Sequence, residues 1–138
     1  MIALNEDRLF KHNQQAAKVL LIEDNAGDAG LVRAILDPKQ FEVEWCNTAT
    51  EARQALAHQL YDVVLLDHGL PDTNALSFLS EIKTREYMSP VIVLTGHDDE
   101  ALAISAMKSG AQNYILKDEI FDYLQPAVEE VVVGQRLH

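Results

Sequence analysis

Five short apolar runs recur along the chain, each followed by a longer segment whose apolar residues return with helical period. The runs are KVLLI (Lys18–Ile22), FEVEWC (Phe41–Cys46), DVVLL (Asp62–Leu66), PVIVL (Pro90–Leu94) and NYIL (Asn113–Leu116). The third is apolar without alternation, the pattern of a central parallel strand covered on both faces. Proline stands only at the mouth of the fourth, where a strand tolerates it. Strand–helix units of this length predict an α/β fold, a doubly wound five-stranded parallel sheet.

The intervening segments carry helix signals. Leu31, Val32, Ile35 and Leu36 give a helical stripe over Asp28–Leu36. Thr48 and Glu51 have capping-box spacing ahead of an inner stripe of Ala52, Ala55, Leu56 and Leu60. Leu76, Phe78, Leu79 and Ile82 predict a helix over Asn74–Thr84. Asp98 or Asp99 caps a fourth that runs through Met107 and stops at Gly110. The last spans Asp122–Leu137 with Val128, Val131 and Val132 inward, its regular part starting near Pro126 because proline deep in a helix loses a hydrogen bond. Residues 1–17 read as an N-terminal extension, and 18–138 as one domain.

Composition removes several classes of function. A formal charge of −11, from 22 acidic against 11 basic residues, opposes direct nucleic acid binding, since phosphates would be repelled. No apolar run approaches the roughly 20 residues of a membrane span, so no membrane insertion is expected and the setting reads as cytoplasmic. Cys46 is the only cysteine, which excludes a disulfide framework and suits a packed thiol.

In a doubly wound sheet, sites form outside the carboxyl ends of the strands. Glu23 and Asp24 end the first strand, Asp67 the third, Thr95 the fourth and Lys117 the fifth. The second ends at Cys46 and Asn47 and adds nothing obvious. Crowded carboxylates raise one another's pKa unless a cation intervenes. Several oxygen ligands suit a hard ion such as Mg²⁺. Such an ion, with an ammonium and a hydroxyl, would hold a phosphoryl group, and aspartate can carry one covalently. Asp67 then reads as nucleophile. Plainer roles stand beside these: Glu23 or Asp24 as a helix cap, Asp67 in a turn before Gly-Leu-Pro, Thr95 as an ordinary hydroxyl, Lys117 as a solvated charge.

The motifs LLIEDN, LLDHGLP, VLTG and YILKD, in this order and at strand ends, resemble the receiver domain of two-component response regulators, the CheY-like family. The resemblance runs from about Lys18 to Val133 and implies a flavodoxin-like sheet of strand order 2-1-3-4-5. It implies that Asp67 is phosphorylated by a histidine kinase or a histidine phosphotransfer protein. Mg²⁺ would be held by Asp24, Asp67 and the backbone carbonyl of Gly69, with Glu23 acting through water. Lys117 would pair with the phosphoryl oxygens, while Thr95 and Tyr114 would switch together; Tyr114 reads equally as a core aromatic. The surface of the fourth helix, fifth strand and fifth helix would carry the signal to a downstream protein partner. Any catalysis would be limited to self-phosphorylation from donors and autodephosphorylation.

The chain departs from the family where Asp118 follows Lys117 in place of a proline. Gly69, two residues past Asp67, leaves the acceptor open to water, and with His97 it is expected to set the dephosphorylation rate. His12, His58 and His68 read as surface residues. A homodimer contact through residues 1–17 is one use for the extension. Two other classes compete: a phosphorylation-independent scaffold with a receiver fold, and a small Mg²⁺-dependent phosphohydrolase.

Overall fold

The computed structural model describes residues 16–84, 89–96 and 100–136. The elements are β1 (Ala17–Ile22), α1 (Ala26–Ile35), β2 (Phe41–Cys46), α2 (Ala49–His58), β3 (Val63–Asp67), α3 (Ala75–Thr84), β4 (Val91–Thr95), α4 (Glu100–Lys108) and β5 (Asn113–Leu116). A 3₁₀ turn, Lys117–Glu119, leads into α5 (Ile120–Arg136). All strand pairs are parallel, in the order β2-β1-β3-β4-β5, so the expected sheet is borne out.

Strand β3 shows how the layers form. Its side chains alternate between faces, yet every one is buried. Val64 and Leu66 pack in a core with Ala52 and Leu56 of α2, Phe78 and Leu79 of α3, and Ala106 of α4. Val63 and Leu65 enter the opposite core with Val32 of α1 and Leu124 and Val128 of α5. Each fully buried aliphatic side chain stabilises by about 1.5–3 kcal/mol relative to exposure. The central strands are thereby rigid mounts for whatever stands at their ends.

Edge strand β2 behaves differently: Phe41 and Cys46 are buried, while Glu42 and Glu44 face solvent. The Cys46 thiol is packed as expected, and burial pushes its pKa up to about 11.

Several boundaries differ from the sequence expectation. Helix α1 starts two residues early because Asn25, not an acidic residue, is its cap: Asn25 Oδ1 accepts from the Asp28 N–H at 2.9 Å. At α2, Thr48 Oγ1 accepts from the Glu51 N–H, but Glu51 reaches back to the Asn47 N–H, one residue beyond a capping box. Leu60 is not part of the inner stripe. The helix closes at Gln59, whose N–H donates to the Ala55 carbonyl, and Leu60 beyond it is 80% exposed.

Pro126 lies inside α5 rather than at its start. The carbonyl that a proline cannot meet there is that of Asp122, an exposed residue, where the lost hydrogen bond costs least. Asp98 and Asp99, the expected caps of α4, lie outside the described residues. Its other end is a Schellman turn: Ala111 N–H donates to the Ala106 carbonyl and Gly110 N–H to that of Met107.

Gly110 adopts φ 107°, and an added Cβ would stand 3.0 Å from Lys83 Cε. Gly110→Ala is therefore expected to destabilise the chain by about 1–2 kcal/mol, read as a lower urea midpoint at unchanged slope. An unchanged midpoint would show that the turn relaxes without strain.

Candidate functional site at the carboxyl edge of the sheet

Strand register assembles the site. Ile22 pairs with Leu66, so Glu23 follows beside Asp67. Asp67 pairs with Leu94, which leaves Thr95 one step further, and Thr95 pairs with Leu116, immediately before Lys117. Asp67 and Thr95 are both buried at their strand ends.

Glu23 has no exposed surface at all. Its backbone N–H donates to the Cys46 carbonyl (3.0 Å), and its own carbonyl accepts from Trp45 Nε1 (2.6 Å). Strand β2 thus contributes to the site after all, through the indole that fixes Glu23. The available signal was Trp45 itself, since a half-buried indole N–H needs an acceptor. The Asn25 N–H donates to Glu23 Oε2 at 3.2 Å, while Oε1 has no directed hydrogen-bond donor.

The Lys117 ammonium stands among three carboxylates: Glu23 Oε1 at 2.9 Å, Asp67 Oδ1 at 2.9 Å and Asp28 Oδ2 at 2.8 Å. Lys117 is therefore no solvated charge. Burial pulls its pKa down, but the close contacts with the Asp28, Asp67 and Glu23 carboxylates outweigh that and hold it above the ordinary lysine value. Asp28 was read only as a helix start; its signal is a carboxylate in the first turn of α1, four residues beyond Asp24.

Burial pushes the Glu23 carboxyl up to about 7, and the charge of Asp67 adds to the rise, against the Lys117 and Asn25 hydrogen bonds. Carboxylate oxygens of Glu23, Asp24 and Asp67 all lie within 4.8 Å of one another. Three hard oxygen donors, among them a buried Glu23 Oε1 that meets the Lys117 charge without a directed hydrogen bond, fit a divalent cation.

The loop after Asp67 is braced. Gly69 bridges to Asn74, Leu70 is buried, and Asp72 accepts from the Ala49 and Thr50 N–H groups at the start of α2. A Cβ on Gly69 would meet nothing within 4 Å. His68 is not a surface residue: it is half-buried with Nδ1 enclosed and unpartnered, and its backbone N–H donates to the Leu94 carbonyl, carrying the sheet pairing one step past Asp67. Tyr114 is half-buried against the α2–α4 core. Among the described residues no peptide bond is cis, so Lys117–Asp118 is trans and opens the 3₁₀ turn. His97 and His12 lie outside the described residues, and His58 is exposed as expected. No described helix is long and apolar enough to cross a membrane.

A sequence model of the response regulator receiver domain matches residues 19–129. Transcriptional regulatory protein ZraR of Klebsiella oxytoca is 29% identical over 119 residues, covering 86% of this chain and 27% of that protein. Transcriptional regulatory protein BasR of Escherichia coli is 32% identical over 118 residues, covering 83% of this chain and 52% of that protein. The chain thus spans between about a quarter and a half of the length of these relatives. The crystal structure of a response regulator receiver domain protein from Clostridium thermocellum is similar with TM-score 0.79 and 31% identity, covering 88% of this chain and 98% of that one.

Because the folded-state pKa of Glu23 is raised from 4.5 to about 7, the folded state holds a proton there that the unfolded chain has lost. The stability contributed by protonated Glu23 is present below pH 4.5 and is lost as pH rises to about 7. In metal-free protein, Glu23→Gln should therefore gain on the wild type across that window, measured as the difference between their urea unfolding free energies. A difference that stays constant with pH would contradict the assignment.

Proposed function

Given that the chain belongs to the response regulator receiver domain family, we propose that it is a phosphoacceptor of a two-component or phosphorelay system, with Asp67 as the residue modified. The observation that carries this reading is the Lys117–Asp67 ion pair of 2.9 Å beside the Glu23, Asp24 and Asp67 cluster. Asp67 is a nucleophile held by a rigid strand, with a cation already in place for the charge that transfer brings.

In the proposed reaction an Asp67 carboxylate oxygen bonds to the phosphorus of a phosphohistidine on a histidine kinase or phosphotransfer protein. The phosphorus–nitrogen bond breaks and the imidazole keeps the electron pair. Loss of the signal is hydrolysis: water attacks phosphorus, releasing inorganic phosphate and restoring the Asp67 carboxylate. Mg²⁺, held by Asp24, Asp67 and the Gly69 carbonyl with Glu23 acting through water, would neutralise phosphoryl oxygens during both steps. Lys117 orients and balances the same group. Thr95 and Tyr114 form the switch, and a downstream protein reads the outcome by contact. One surface for such contact is a groove of about 340 Å³ lined by Tyr114, Leu116, Tyr123 and Pro126.

Incubation with Mg²⁺ and acetyl phosphate should add one phosphoryl group by intact mass, and Asp67→Asn should abolish the gain. An unmodified wild-type chain, with small donors and with a cognate kinase, would favour the scaffold.

Gly69 and His97 are proposed to set the lifetime of the phosphorylated state. A Cβ on Gly69 would meet nothing within 4 Å, so Gly69→Arg starts from open space. It should slow loss of the phosphoryl group several-fold by shielding it from water, and His97→Ala should change the same rate. Identical decay in both variants and the wild type would remove these two residues from the mechanism.

A further inference from the structure

Asp28 belongs to none of the roles assigned so far, yet it is the nearest partner of the Lys117 ammonium, at 2.8 Å. An ammonium has three protons to donate. Three carboxylates surround this one, and only the Asp28 contact meets hydrogen-bond geometry; Glu23 and Asp67 are paired by charge. The Lys117 contact that has hydrogen-bond geometry therefore points at the rim and away from the acceptor.

We propose that Asp28 is a positioning residue of the phosphoacceptor site, a resting counter-ion for Lys117 that an arriving phosphoryl group must displace. The inference rests on the reading of Asp67 as phosphoacceptor. Its physical basis is a competition for protons. Phosphorylation replaces one carboxylate charge with a more highly charged group, whose oxygens need the same ammonium.

Of the two remaining carboxylates, Asp28 is the one Lys117 releases at least cost. The Asp28 side chain is 37% exposed, so bulk solvent can take up its oxygens, whereas the Glu23 side chain at 0% is shut off from bulk solvent. Asp28 also lies in the first turn of α1, where the helix terminus favours a negative charge without help from Lys117. Breaking the Asp28 bond frees one proton of Lys117 and leaves α1 without its side-chain link to the end of β5.

The test compares wild type, Asp28→Asn and Asp28→Glu in Mg²⁺-dependent labelling by acetyl phosphate, read by intact mass over a range of donor concentrations. In that step an Asp67 oxygen bonds to phosphorus, the bond from phosphorus to the bridging oxygen breaks, and acetate leaves with the electron pair. Asp28→Asn should raise the limiting rate about 3- to 10-fold, the span expected for one charge-assisted hydrogen bond at a partly exposed position. Donor half-saturation and the Mg²⁺ midpoint should hold, and Asp28→Glu should keep the wild-type rate. A gain confined to donor half-saturation would mean that Asp28 only repels an anionic donor, and overturns the proposal. An unchanged or slower limiting rate overturns it equally. A wild-type chain that takes up no phosphoryl group from acetyl phosphate or from a cognate kinase fails the phosphoacceptor reading and this inference with it; labelled wild type with an unresponsive Asp28→Asn fails the inference alone.

Discussion

Glu23 and Asp67 reach the carboxyl edge of the sheet almost without exposure to water, and the Lys117 ammonium between them makes that burial tolerable. Two carboxylates enclosed together would otherwise repel each other at the effective dielectric of a protein interior. The cation comes from β5, at the far edge of the sheet, and each acid from a different strand. Correct charge balance therefore requires that β1, β3 and β5 all be in register at once. The chemistry of the edge and the pairing of the sheet are a single constraint.

That constraint explains why the two faces are so thoroughly covered. Helices α1 and α5 close one face and α2 to α4 the other, leaving β3 with no exposed side chain. A strand fixed on both sides holds its terminal carboxylate to a narrow set of positions, as the role proposed for Asp67 requires. The upward pull on the Glu23 pKa is the cost of the same enclosure, opposed by the Lys117 and Asn25 contacts to its carboxylate, while Trp45 holds its backbone carbonyl.

Much of this was legible in the sequence because strand-end chemistry follows from local pattern. Apolar runs ending in Asp67, Thr95 and Lys117 identified both the sheet and the edge where the charged residues gather. Contacts across long sequence separations were not legible. Asp28 and Lys117 are 89 residues apart, and nothing local to either residue names the other. The role of Trp45 was hidden because its hydrogen bond runs to a backbone carbonyl 22 residues away. Leu60 and Pro126 failed for a different reason: helical period and proline rules describe an element's interior, and both depended on where the helix ended or what solvent could reach. His68 was misplaced because sheet pairing continues one residue beyond the strand that the apolar run marks.

The bracing of the loop between Asp67 and α3 has a thermodynamic consequence. Leu70 is sunk in the core, Asp72 is bonded to the start of α2, and Gly69 is bridged to Asn74. A free loop of this length would lose about 1–2 kcal/mol of backbone entropy for each residue ordered on binding a ligand. Here that ordering was completed when the chain folded. A cation or anion that meets this backbone finds it already stiff, and its affinity need not be reduced by freezing the segment around it.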